Sequence, residues 1–289
     1  MTYELAIGDR LFSSWSLRGW LAFAKFNIPV KVRHARMYNP AFDTLRAEFA
    51  PTRTVPAVRI DSDVVWDSLA IAETLAERHP EACFWPKDIT ARAAARSITA
   101  EMHSGFTALR SNCPMDLRHR YLDYAVPDDV RADVDRIETL WAYARTYAGC
   151  GPWLFGAYSV ADLFYAPVAM RFATYGLVES QMAQDYVAQH LSDQTFRQWR
   201  AMGFAENFQQ TVYDRDLTKA DWPGPKPRAA RAVDGTASEN THCPYSGDPV
   251  THFLEMDGRK FGFCNAFCRD KTLADPEAWP AFLAMVNET

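Results

Sequence analysis

The chain lacks any apolar run approaching the ~20 residues of a membrane-spanning helix, which argues against a place inside a bilayer. It lacks a basic excess as well. With 31 Lys and Arg against 36 Asp and Glu, the formal net charge is −5. General nucleic-acid binding needs a positive footprint to displace counterions, so that class is disfavoured. The start, Met1-Thr-Tyr-Glu-Leu-Ala-Ile-Gly-Asp-Arg, has no basic n-region and no long h-region, so no secretory leader and a cytoplasmic location are expected. Cysteine is scarce, at six in 289 residues, too few for a disulfide framework. The placement is uneven. Cys83, Cys113 and Cys150 are scattered, whereas Cys243, Cys264 and Cys268 fall in the last 47 residues. In a chain read as cytosolic, clustered cysteines point to metal or redox chemistry.

What the chain has is core material: 48% hydrophobic and 13% aromatic residues over about twice the ~150-residue prior for one domain. At this size roughly three-quarters of the unfolded surface can be buried.

Residues 3–7 alternate like a strand, with Tyr3, Leu5 and Ile7 on one side. A serine-rich break at Ser13, Ser14 and Ser16 leads into a helical stretch over about 15–26. Pro29-Val-Lys-Val-Arg-His is a second alternating run, and 41–49 reads as a short helix. Ala57–Ile60 and Val64–Trp66 are apolar runs joined by the tight turn Asp61-Ser-Asp63, and Leu69–Arg78 closes the unit as a helix. The order βαβαββα, with two crossovers and one hairpin, predicts a small mixed sheet with helices on both faces. From about 90 to 213 the pattern is helical only, with Val130, Val134, Ile137 and Trp141 at helical spacing. Residues 214–240, with three prolines within 223–227 and then Ala, Gly, Ser, Thr and Asn, read as a flexible tether. The last 49 residues start afresh with turn residues, a strand pair and a terminal helix.

Three local signals fall where the small sheet presents an edge to a ligand. Thr54-Val55-Pro56 precedes a strand, and a cis Val55–Pro56 bond leaves the Val55 backbone N–H and C=O free for an extended peptide. Asp67-Ser68 opens a helix, where a hydroxyl and a helix N-terminus suit a carboxylate and Asp67 suits an ammonium group. A hydroxyl of Ser13 or Ser14, beside another positive helix end, can donate to a thiolate and lower a thiol's pKa from its usual ~8.5. Taken singly these residues serve equally well as helix caps or an edge-strand proline. Together, a carboxylate, an amine, a peptide backbone and a thiol describe glutathione.

On these residues the chain resembles the cytosolic glutathione S-transferase superfamily over about residues 3–213. Ser13-Ser-Trp-Ser-Leu-Arg18 looks like the serine motif of the zeta and tau-like classes, whose first serine lies five residues before an arginine. The resemblance implies Ser13 as the thiolate-stabilising residue with Ser14 as understudy, and Val55, Asp67 and Ser68 as glutathione-binding positions. Thr54 departs from the Lys or Gln common before the valine, and Arg53 is expected to reach the glycyl carboxylate. Trp15 stands where zeta enzymes carry a cysteine, which weakens an inference of maleylacetoacetate isomerase activity. Ser159-Val-Ala-Asp162 matches the family's capping box. Met102, His103 and Phe106 either line the electrophile pocket or pack between domains.

The carboxy-terminal cysteines carry a second signal. Cys243 precedes Cys264 by 21 positions, and Cys264-Asn-Ala-Phe-Cys268 is read as placing two thiols one helical turn apart. Three thiolates and one further donor complete a tetrahedral Zn²⁺ shell, and a tail this short is of the size that needs a metal in place of a core. With Gly258-Arg-Lys-Phe-Gly-Phe-Cys264 before the pair, the segment resembles the TRASH/YHS class of small metal-binding modules. Many relatives carry Cys-x2-Cys at the front, where this chain has Ser246. His252 is preferred as fourth ligand, then His242, then Ser246.

The expected architecture is therefore α+β. It comprises a thioredoxin-like βαβαββα domain (1–85), an all-helical transferase domain (90–213), a linker (214–240) and a small zinc-binding α+β module (241–289). The expected activity is conjugation of glutathione to a small electrophile, and the resemblance implies a homodimer. Alternatives are a glutathione-dependent isomerase, or a non-catalytic scaffold that binds glutathione or a partner.

Overall fold

The computed structural model describes residues 2–235 and 237–287. Strand β1 (Tyr3–Ile7) and strand β2 (Lys31–His34) run parallel, joined through helix α1 (Ser14–Ala24). Helix α2 (Pro40–Glu48) returns the chain to β3 (Ala57–Ile60), antiparallel to β1, and a hairpin leads to β4 (Asp63–Val65). Helix α3 (Ser68–Arg78) follows, and the sheet order is β2-β1-β3-β4. This is the mixed sheet predicted from the alternating runs. Its alternation sorts the two faces: Leu45 and Phe49 cluster with Ala6 and Ala57, while α1 lies on the Leu5 side. There the close approach of α1 depends on Gly19, since a Cβ at that position would stand 2.5 Å from the Pro56 ring.

Next come α4 (Ile89–Ser104), α5 (Thr107–Asn112), the short strand β5 (Arg120–Tyr121), α6 (Asp128–Arg145), α7 (Val160–Tyr175) and α8 (Gln181–Ser192). Every residue of α7 is buried, as befits a helix apolar on all sides, and Trp141 packs against its Tyr165 and Phe172. Its start carries the predicted capping box. Asp162 accepts from the Leu154 and Ser159 backbone N–H groups and from the Tyr186 hydroxyl. Burial outweighs these donors and pushes its carboxyl up to about 6.

Two compact units emerge. One comprises the chain up to Leu191 with Thr211–Pro223; the other comprises Ser192–Gln210 and the chain from Gly224 onward. The second unit contains α9 (Gln194–Ala205), strands β7 (Ala230–Val233), β8 (His252–Met256) and β9 (Arg259–Phe263), and helices α10 (Ala266–Ala274) and α11 (Pro280–Asn287). Strand β6 (Lys219–Ala220) pairs with β5 in the first unit.

These assignments correct two expectations. The segment 214–240, read as a tether, supplies β6 and β7, because its short runs find ladder partners in β5 and β8. Helix α9, read as part of the 90–213 helical domain, belongs with the carboxy-terminal module. Its Ala201 joins Leu254, Phe261, Phe263, Trp279 and Phe282 in one core, and Arg197 donates to both Asp275 oxygens at 2.7 and 2.8 Å. The module thus has a hydrophobic core of its own, larger than residues 241–289 supply alone.

Candidate active site and thiol cluster

A cleft of about 690 Å³ in the first unit is lined by Ser13, Ser14, Arg53, Val55 and Asp67. Five of the residues picked out in the amino-terminal sequence therefore share one cavity, of a size typical for small-molecule sites. Its other wall comes from Thr107, Arg110, Ser111, Met115, Arg171 and Tyr213.

Ser13 is the N-cap of α1, so its position is set by the helix start. Its Oγ accepts from the Ser16 N–H at 3.2 Å and donates to Ser16 Oγ at 2.8 Å. Ser16 Oγ also accepts from the Gly8 N–H at 2.9 Å, tying the serine turn to the end of β1. No acidic residue occupies the first turn of α1, so its positive end is uncompensated. Ser14 Oγ lies 3.4 Å from Arg171 Nη2. Trp15, half-buried on the cleft wall, carries the Arg18 and Arg110 guanidinium carbons 4.2 and 4.9 Å from its ring centroid.

The Val55–Pro56 bond is cis, and Val55 faces the cleft. Asp67 caps α3, its Oδ1 accepting from the Leu69 N–H at 2.9 Å. Its Oδ2 lies 3.0 Å from His103 Nε2. Arg18 can only donate, and its Nη1 stands 3.5 Å from His103 Nδ1. Nε2 therefore carries a proton and donates it to Asp67. Burial, then the Arg110 and Arg171 charges, push the Arg18 guanidinium down to about 9, against the pull of Asp67. Ser68 follows as the first residue of α3. Its hydroxyl is buried and has no hydrogen-bond partner, an orphan of the kind a ligand carboxylate satisfies.

Two cations on the far wall were missed from sequence. Arg171 is buried on α7, where Nε donates to the Cys113 carbonyl at 2.8 Å and Nη1 to that of Pro167 at 3.2 Å. Burial, with Arg110 nearby, pushes it down to about 10. Burial also lowers Arg110. The available signal was an arginine inside a helix otherwise apolar apart from its capping aspartate. Of the segment 101–106, Met102 is fully buried and His103 bridges Arg18 and Asp67, so packing rather than pocket lining describes it.

In the second unit, the sulfurs of Cys243, Cys264 and Cys268 lie within 4.8 Å of one another. Cys264 precedes α10 rather than lying on it, and Asn265 caps the helix through the Cys268 N–H at 2.8 Å. The expectation of two thiols on one helical turn is corrected accordingly. Burial acts to raise the Cys243 thiol, but backbone N–H groups of Cys264, Tyr245 and Ser246 outweigh it and bring it to about 7. Burial, reinforced by the other two thiols and opposed by Lys271, pushes Cys268 up to about 12. A turn that offers several N–H donors to sulfur suits a thiolate metal ligand, so the donor set fits a soft-to-borderline ion such as zinc. The preferred fourth ligand is not there. Among the described residues no histidine nitrogen or carboxylate oxygen joins the group, and His252 and His242 instead meet Thr251 and Thr241 at 2.9 Å. Ser246, the last choice, is the close one, with Oγ 3.3 Å from Cys264 Sγ.

Comparison with known proteins finds a family match confined to the amino-terminal segment. Residues 12–78 match the family described as glutathione S-transferase, N-terminal domain. A Caenorhabditis elegans protein named probable maleylacetoacetate isomerase is 33% identical over 98 residues, 34% of this chain and 45% of that protein. Maleylacetoacetate isomerase of Dictyostelium discoideum is 30% identical over 103 residues, again 34% of this chain and 45% of the relative. The matched stretch spans less than half the length of these relatives. Among solved structures, a Burkholderia glutathione transferase homolog with bound glutathione superposes with a TM-score of 0.54 at 20% identity, covering 71% of this chain and 99% of its own. Glutathione transferase Omega 2S from Trametes versicolor gives 0.55 at 17% identity, covering 74% and 99%. At these identities the structures speak to the fold, which is that of a glutathione transferase: a thioredoxin-like domain followed by helices. The likeness to that family model covers residues 12–78, and the solved structures share the fold.

Proposed function

We propose that the chain is a glutathione-dependent transferase whose thiolate is stabilised by Ser13. The observation that carries this reading is the single cleft shared by Ser13, Ser14, Arg53, Val55 and Asp67, with the partnerless Ser68 hydroxyl behind Asp67. Ser13 turns its proton from Ser16 to the bound sulfur, and the α1 N-terminus and the Arg110 and Arg171 charges favour the anion. Ser68 and the α3 N-terminus receive the γ-glutamyl carboxylate, Asp67 the ammonium, the Val55 backbone the cysteinyl peptide, and Arg53 the glycyl carboxylate. The thiol proton leaves to solvent, and the thiolate attacks an electrophile held against the Thr107–Met115 wall.

A second reading, isomerisation with glutathione regenerated, is favoured by the names of the relatives and by Arg110 and Arg171 on the cleft wall, neither of which is paired with an acidic residue lining the cleft. Both suit an acidic electrophile. Product analysis separates the two: a stable conjugate identifies transfer, and an isomer with unchanged glutathione identifies isomerisation. Glutathione binding with neither product, across neutral and acidic electrophiles, returns the scaffold reading and removes the enzyme.

The carboxy-terminal module is proposed to hold zinc through Cys243, Cys264 and Cys268. A cytoplasmic homodimer completes the reading by resemblance. No helix among the described residues is long and apolar enough to cross a membrane.

A further inference from the structure

Among the described residues the thiol cluster is one donor short of a tetrahedral shell, and its surroundings show where the gap lies. The Cys243 side chain is buried against the module core, whereas Cys264 and Cys268 are half-exposed. The turn Cys243-Pro-Tyr-Ser246 then brings an exposed serine to the open side, 3.3 Å from Cys264 Sγ. That hydroxyl is already engaged. It donates to the Cys264 sulfur and accepts from the Asp248 N–H at 3.2 Å. A neutral alcohol is a poor ligand beside thiolates, so Ser246, with its proton directed to the Cys264 sulfur and one lone pair taken by the Asp248 N–H, flanks the fourth position rather than filling it. The two histidines near in sequence lie outside the group, as described above.

We propose that Cys243, Cys264 and Cys268 hold their metal as a three-thiolate centre whose fourth position, beside Ser246, is open to solvent and takes a small thiol as its thiolate. This rests on the zinc reading above. Three soft donors select an ion that prefers a fourth soft donor over water. On binding, the thiol gives its proton to solvent, its sulfur bonds to the metal, and a water leaves. No oxidation is involved. Structural zinc sites are closed and sites with work to do keep a position open, so the module belongs with the second kind.

The test uses the full-length protein loaded anaerobically with Co²⁺, a coloured substitute for zinc, and titrated with 2-mercaptoethanol. That thiol lacks the glutamyl and glycyl ends that the amino-terminal cleft would recognise. The sulfur-to-cobalt band is expected to grow from the intensity of three thiolates to that of four. In Ser246→Cys the band should start at the four-thiolate level and ignore added thiol, and a chelator should extract the metal at least about tenfold more slowly than from wild type. Should Ser246→Cys misfold, the zinc X-ray absorption sulfur count of wild type, before and after thiol, gives the same answer. A wild-type band unmoved by thiol overturns the inference, as does a spectrum altered by His252→Ala, which would reveal a closed shell. Absence of any cobalt band overturns the metal reading itself, and this inference with it.

Discussion

The serine cleft and the cysteine cluster are both built at helix starts, yet they solve opposite problems. In the cleft, Ser13, Asp67 and Ser68 stand at the N-termini of α1 and α3, and the protein supplies hydroxyls and dipoles to an incoming sulfur. In the cluster, Cys243, Cys264 and Cys268 supply the sulfur, and backbone N–H groups of the surrounding turn lower the Cys243 thiol. The contrast teaches that anion stabilisation by backbone and hydroxyl donors is portable, and that the identity of the side chain decides which partner brings the charge. The scattered cysteines fit neither scheme. Cys113 is buried, and burial pushes its thiol up to about 11, an inert state.

The largest expected effect breaks the cluster while sparing the cleft. Cys268→Ser should abolish stable metal binding and lower the stability of the second unit by several kcal/mol, less than the ~10–16 kcal/mol of zinc-finger peptides because the module keeps its own core. Glutathione affinity should not change; calorimetry with metal analysis checks both. Conversely, Gly19→Ala should break the cleft while sparing the cluster. Its Cβ would meet the Pro56 ring at 2.5 Å, and overpacking of this kind costs about 1–3 kcal/mol. Chemical denaturation and glutathione titration would register it, with metal content unaltered.

A smaller change sharpens the comparison. Ser13→Ala removes one donor to the thiolate, so kcat should fall about 100-fold, with the thermodynamic loss of a cap, ~1 kcal/mol. The pH at which bound glutathione ionises should rise, seen as an upward shift of its ultraviolet thiolate titration. Unchanged activity would take Ser13 out of the mechanism. Smallest is Arg110→Gln. It should raise KM for an acidic electrophile about tenfold, the cost of one partly screened charge contact, and leave a neutral electrophile untouched. Equal effects on both would remove the argument for an acidic substrate.

Much of the cleft was legible in the chain because its residues lie at element boundaries, which local rules mark. Ser13 and Asp67 cap helices, Pro56 precedes a strand, and the Ser159–Asp162 box opens α7. Arg110 and Arg171 were not legible in that way, since nothing near them in sequence says which cavity they face. The cysteine spacing announced a cluster correctly but misled on its fourth member. His252 looked well placed by count, yet in the fold its ring meets Thr251, while the turn after Cys243 brings the Ser246 hydroxyl beside the Cys264 sulfur.

By itself, then, the sequence determined the order of elements in the small sheet and the helix starts that carry the serines and Asp67. Those follow from periodicity, capping and turn chemistry, which act over a few residues. Only the tertiary structure decided that His103 holds Asp67, that two arginines face Ser13 across the cleft, and that α9 completes the carboxy-terminal core. Those depend on which surfaces meet across long stretches of chain. Burial of apolar area drives such meetings, and because it is non-directional it leaves little trace in any single segment.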